Sequence, residues 1–251
     1  MAKKINFQYY RQERALKIDL LSEILLRKRI LKDIGPLNQA SSLCRSETSK
    51  CNRWGYYVRN LDFGEIESEH HIRPRGIKNN KLFLSMRLNG LCFHENEIFD
   101  PFHDLALNIR ITGILSENKE FFCCWHLDRH IAQKNDNEPE EAHPRYHFQF
   151  GGEEVLNLID AYNFDFGSSL FIEPPRLPHP PLDIVLGIDF VLSNFYGNKW
   201  KYLNRETTYK KLVQEAQDRF WKPYALTIAS KWCTAITSDW SPKDIWPQMI
   251  Q

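Results

Sequence analysis

LALNIRITGILSENKEFFCCWHLDRH (105–130) and, after an acidic connection, PRYHFQFGG (144–152) decide how this chain folds. Residues 105–115 alternate apolar and polar, as does the run 120–131, and 145–150 repeats the pattern, so the middle of the chain reads as an antiparallel meander. Successive strand side chains point to opposite faces. One face of the second strand therefore carries His126, Asp128 and His130, and one face of the third carries Arg145, His147 and Gln149. The opposite faces hold Trp125, Leu127 and Arg129, then Tyr146, Phe148 and Phe150, mostly core material. His143 stands at the rim.

Outward from the meander, residues 10–34 read as an amphipathic helix, with Ala15, Leu16, Ile18, Leu21, Leu25, Ile30, Leu31 and Ile34 near helical spacing. Gly35-Pro36 is expected to stop it. Residues 37–80 are polar and punctuated, a polar insertion or small subdomain. LFLSMRL (82–88), Asn89-Gly90 and LCF (91–93) give a hairpin signal, because Asn-Gly suits a type I′ turn. A short helix is expected at 153–162 and a strand at 169–173. PPRLPHPP (174–181) reads as an irregular crossover, since proline lacks the donor that helix and sheet need. LDIVLGIDFVLSNFYG (182–197) is apolar almost all round, the mark of a buried helix. RETTYKKLVQEAQDRFWK (205–222) is amphipathic, and Pro223 should kink or end it. The expected fold class is α+β in a single domain, 1–251: an N-terminal helix to 36, the insertion 37–80, the β-meander 81–181 with its proline-rich crossover, and a helical part 182–251.

This order, helix, meander, paired prolines and helices, resembles in outline the ubiquitin-conjugating and RWD-type folds over roughly residues 10–195. A conjugating enzyme would place a nucleophilic cysteine after the proline segment, and between Pro181 and Cys233 there is none, so that activity is not expected. No phosphate loop, dinucleotide fingerprint, serine elbow or HExxH is present.

The 251 residues are 42 % hydrophobic and 26 % charged, the composition of an ordinary globular protein. No apolar run approaches the roughly 18–20 residues of a membrane span, and the start lacks a secretory core. Six cysteines in so large a chain read as free thiols of a reducing cytosol. A cytoplasmic location with no membrane partner is the expectation. The net charge of +1 hides an asymmetry: 18 Lys/Arg against 9 Asp/Glu in residues 1–94, 6 against 18 in 95–189, and 9 against 5 in 190–251. Such bipolarity can steer an anionic partner or orient docking.

Chemistry concentrates in the meander. His126 and His130 lie roughly 13 Å apart along one strand, too far to share an ion. His126, Asp128 and, across the ladder, His147 are within reach of one metal, because facing Cβ atoms are about 5 Å apart. Without a metal, His126, Asp128, His130, Arg145 and His147 form an acid–base set suited to phosphodiester chemistry. The bland alternative is a solvated sheet face. Asp183 is expected to cap the buried helix, and Asp189 within it needs a partner, Arg176 or Arg219. Cys44 and Cys51 with His70-His71 match no usual zinc spacing. Arg45, Lys50, Arg53, Trp54, Tyr56 and Arg59 form a basic–aromatic stretch of the kind that stacks on single-stranded nucleic acid, and the same stretch reads equally as an ordinary partly buried strand with its arginines outside. Two functions follow. The first is a non-catalytic cytosolic subunit or adaptor of a multiprotein assembly, with protein partners and nucleic acid at its basic N-terminal part. The second is a His-based hydrolase, a nuclease or phosphodiesterase, and only this one calls for a divalent metal.

Overall fold

A computed structural model describes residues 5–46, 51–66, 76–94, 97–114, 120–130, 142–151, 155 and 174–250. Helix α1 spans Phe7–Arg27, and the Asn6 side chain caps it by accepting from the Tyr9 N–H at 2.9 Å. It ends earlier than its apolar periodicity suggests. Arg29 adopts φ 56°, its N–H donates to Leu26 O, and the Ile30 N–H donates to Leu25 O at 2.8 Å. That is a Schellman termination, in which the residue after the left-handed turn folds back on the last turn. Ile30 and Leu31 are thus buried without being helical. Gly35-Pro36 stops nothing; it opens α2 (Gly35–Ser46), where proline's missing N–H is harmless.

Residues read as a polar insertion instead supply α2 and a 13-residue strand, β1 (Arg53–Glu65). Next come β2 (Lys78–Leu91), β3 (Phe102–Ile114), β4 (Glu120–Arg129), β5 (Tyr146–Phe150) and the two-residue β6 (Leu177–Pro178). They form one antiparallel sheet in the order β1-β2-β3-β4-β5-β6, so the architecture is α+β. Asn89-Gly90 is not a turn. It lies inside β2, where Gly90 faces Trp54 across the ladder and an added Cβ would stand 2.5 Å from Pro101 O. The glycine serves close approach, not reversal. The proline crossover is irregular except at β6, an edge position that tolerates Pro178. The helix expected at 153–162 and the strand at 169–173 fall outside the described residues, Val155 excepted.

One face of the sheet meets the helices. Trp54, Tyr56, Leu84, Met86, Leu107, Leu127 and Tyr146 point into a core shared with α3 (Ile184–Phe195). An added Cβ at Gly187 would lie 3.0 Å from Leu107 Cδ1 and 3.1 Å from Met86 Cε, so the missing side chain sets how closely α3 approaches the sheet. Helices α4 (Gly197–Leu203) and α5 (Thr207–Ala216) follow, then a π-turn (Gln217–Trp221), α6 (Lys222–Ala229) and α7 (Pro242–Ile245). Pro223 was expected to kink or end the helix; the π-turn lies just ahead of it, so the register change relieves the proline and the helical path continues. Asp189 pairs with neither arginine considered for it; its Oδ1 accepts from Trp200 Nε1 at 2.8 Å and Tyr209 OH at 2.9 Å. Among the described residues no helix is long and apolar enough to cross a membrane.

The buried N-terminus of α3 leaves backbone donors that need partners. The Asp183 carboxylate accepts from the Leu186 N–H, and Tyr56 OH accepts from the Ile184 N–H, each at 3.0 Å. Burial pushes the Asp183 carboxyl up to about 6 from 3.8, against the opposing pull of the Leu186 N–H. The folded state therefore holds this proton more tightly than the unfolded chain. Its stabilising contribution is complete below about pH 4 and is lost as pH rises through 6. Asp183→Asn keeps an acceptor oxygen for the cap and cannot ionise. Urea denaturation at pH 4 and pH 7.5 should show the variant gaining about 3 kcal/mol on the wild type between the two. An unchanged difference would overturn the reading.

Candidate metal centre on the outer face of the sheet

Strand pairing gathers the candidate site. β4 and β5 are antiparallel with Asp128 opposite His147 and His126 opposite Gln149. Through β3 and β2 the same rung continues from Asp128 to Ala106 and Arg87, then to Tyr57 on β1. A second rung runs Gln149, His126, Asn108 and Ser85. All of these but the buried His147 line a groove of about 660 Å³ on the face away from the helices.

His126, Asp128 and His147 each present a ligand atom, and the three atoms lie within 4.8 Å of one another; among the described residues this is the one such group. The His126 Nε2 to Asp128 Oδ2 distance is 3.5 Å. His147 is 5 % exposed, and its Nδ1 sits 3.3 Å from Pro144 O. With Nδ1–H directed at that carbonyl, Nε2 keeps its lone pair, the arrangement by which a ligating histidine is usually held. Burial pushes Asp128 up, partly offset by His126 and Arg87, while Asp104 adds to the rise. Burial also lowers His147 to about 4, helped by His143, His126 and Arg176 and opposed by the Pro144 carbonyl. A desolvated carboxylate beside a neutral imidazole suits a divalent cation.

The histidines continue beyond the triad. His143 stacks on His130 with ring centres 3.9 Å apart and meets His147 at 4.7 Å, edge to face. Burial, with His130 and Arg176, lowers His143 to about 4. His130 thus joins the cluster through His143.

Arg145 does not belong to it. Its guanidinium binds Asp100 at 3.1 Å and Asp244 at 2.5 Å. Asp100 also receives Arg129 at 2.8 Å and the Tyr146 hydroxyl. The cation beside Asp128 is instead Arg87, held by Asp104 at 2.7 Å, while Arg176 stands near His147. The signal for it in the sequence is parity alone: Ser85, Arg87 and Asn89 alternate on β2 like the site residues on β4.

The basic–aromatic stretch divides by strand parity. Trp54 and Tyr56 are buried in the core, where no base can stack on them, while Arg53, Tyr57 and Arg59 face outward. Arg59 lies over the Tyr57 ring at 4.6 Å. Arg45 is tied to Asp19 and Ser41. Lys50 lies outside the described residues, as do His70 and His71, and Cys44 is buried with its thiol directed at Arg11 O. Comparison with models of known families, with curated proteins and with solved structures finds no match for this chain.

The Asp100 contacts make Arg145 a structural residue. Arg145→Gln should lower the unfolding free energy by about 2 kcal/mol, the scale of hydrogen bonds to charged groups. Asp100→Asn should cost more, because it leaves the Arg129 guanidinium without its carboxylate and takes one of the two from Arg145. Urea denaturation measures both, and wild-type stability in either variant would contradict the assignment.

Proposed function

We propose that this chain is a divalent-metal-dependent phosphodiesterase whose metal ligands are His126, Asp128 and His147. The observation that carries the reading is the convergence of two imidazoles and a carboxylate within 4.8 Å, with His126 and Asp128 lining a groove and His147 buried behind them. Two nitrogen donors and one oxygen donor leave coordination positions for water and substrate, the pattern of catalytic rather than structural sites. A divalent ion there supplies Lewis-acid polarisation of a phosphoryl oxygen and lowers the pKa of water.

The chain's own residues supply the rest. Pro144 O orients His147, and the short side chain of Ala106 lets the Arg87 guanidinium reach toward Asp128. Asp104 holds Arg87 in place, so its positive charge is set where an anionic phosphate would lie. Arg59 provides a further cation in the same groove. An adaptor function would have no need for three ligating groups at one point, so the geometry favours catalysis over the binding role expected first. Action in the cytoplasm accords with six free cysteines.

Metal analysis of the purified protein should find one divalent ion per chain after incubation with zinc, manganese or iron. Titration calorimetry should show His126→Ala, Asp128→Ala and His147→Ala each weakening affinity by more than the roughly 10–100-fold that loss of a supporting group costs. Hydrolysis of bis(p-nitrophenyl) phosphate should disappear with chelator and in the same variants. A protein that takes up none of these metals would end this reading.

A further inference from the structure

The groove beside the metal ligands does not stop at β2. A second groove of about 630 Å³, over Gly55, Asn89 and Asp104, shares Tyr57 and Arg87 with the first. Together they make one trough crossing the outer face from β5 to β1. Four inter-strand gaps of about 4.8 Å give it a length of roughly 19 Å. Its floor is low at Ala106, where the side chain is minimal, and over Gly55 it is formed by the Asn89 side chain. At its far end Arg53, Tyr57 and Arg59 stand at alternate positions of β1, so two cations flank an aromatic ring.

From this geometry we infer that the trough binds a single-stranded phosphodiester chain of a few nucleotides, running from Arg53 and Arg59 to the metal ligands. The inference rests on the phosphodiesterase reading for the reaction but not for the binding. Cations track the backbone, and an exposed ring or guanidinium plane offers a stacking surface to any base. Only a single strand exposes its base faces for such contact; a duplex keeps them stacked inside. A mononucleotide held at the metal ligands would not reach Arg53 or Arg59, which lie three or more strands away.

Fluorescence anisotropy with labelled dT8 and U8 tests this. It is run in chelator and again with manganese on His147→Ala, which separates binding from turnover. Both octamers, or one of them, should bind at least tenfold more tightly than dTMP or UMP, and a strong preference identifies the sugar. The log–log salt slope should be about −2, the value for roughly three phosphate contacts to a single strand. Arg53→Ala/Arg59→Ala should lose at least tenfold in affinity and flatten the slope toward about −0.7, with an unchanged unfolding midpoint and unchanged metal content. Octamers no tighter than mononucleotides, equal binding of an octamer duplex or an oligoglutamate, or an unaffected double variant would overturn the inference. Metal uptake without octamer binding defeats this proposal alone. Octamer binding without metal uptake defeats the phosphodiesterase reading alone.

Discussion

The pairing register between Glu120–Arg129 and Tyr146–Phe150 is the constraint on which the candidate site depends. A slip of one residue would turn every side chain of β5 to the opposite face, exchanging His147 and Gln149 for Tyr146 and Phe148. The register is held at both ends and from below. The His130 N–H donates to Arg145 O at 2.7 Å, and the Gly151 N–H donates to Cys124 O at 2.8 Å. On the core side Tyr146 is wholly buried, with its hydroxyl on Asp100, the carboxylate that also binds Arg129 and Arg145. The ion-paired cluster under the sheet therefore positions the histidines above it, although it shares no residue with them.

Buried polar side chains require partners, and on both sides of the sheet proline carbonyls supply them. His147 Nδ1 faces Pro144 O, Gln149 Nε2 donates to Pro174 O at 2.8 Å, His179 Nδ1 lies 2.7 Å from Pro180 O, and Trp221 Nε1 donates to Pro181 O at 3.0 Å. Because proline breaks regular pairing, carbonyls in such segments are left without a ladder partner and stay free for side chains. The crossover between β5 and α3 thus does more than connect: it satisfies donors that the sheet alone would leave unmatched.

How far the sequence could be read depended on the range of the forces involved. Period-2 alternation is local, so the β3–β5 meander and the shared face of His126, Asp128 and His147 were legible. The buried helix α3 and its Asp183 cap were legible for the same reason. What failed involved distant partners. Around Trp54 a partly buried strand with outward arginines was one of two readings and is what forms, but its 13-residue extent, inside what read as a polar insertion, depends on pairing with β2 and cover by the helices. Asn89-Gly90 carries a turn signal that the close approach of Pro101 and Trp54 overrides. Arg145 shares parity with His147, yet it precedes the first residue of β5, where Asp244 on α7, far along the chain, captures it. No local pattern encodes that contact.

Strand parity also explains how the arginines divide between folding and the groove. On β4, Arg129 shares the core-side positions with Trp125 and Leu127, so it must find a carboxylate, and Asp100 is there. On β1 and β2, Arg53, Arg59 and Arg87 occupy the opposite parity and project into the trough. A guanidinium facing the core is stable only when paired, whereas one facing the trough keeps its hydration until an anion replaces it. Asp104 shows the intermediate case: its carboxylate orients Arg87 without burying it, since that side chain is 64 % exposed. Orientation with hydration retained is the condition in which a cation can still exchange water for phosphate oxygen. The two-residue period of the strands thus sorts like residues into a structural set beneath the sheet and a set open to ligand above it.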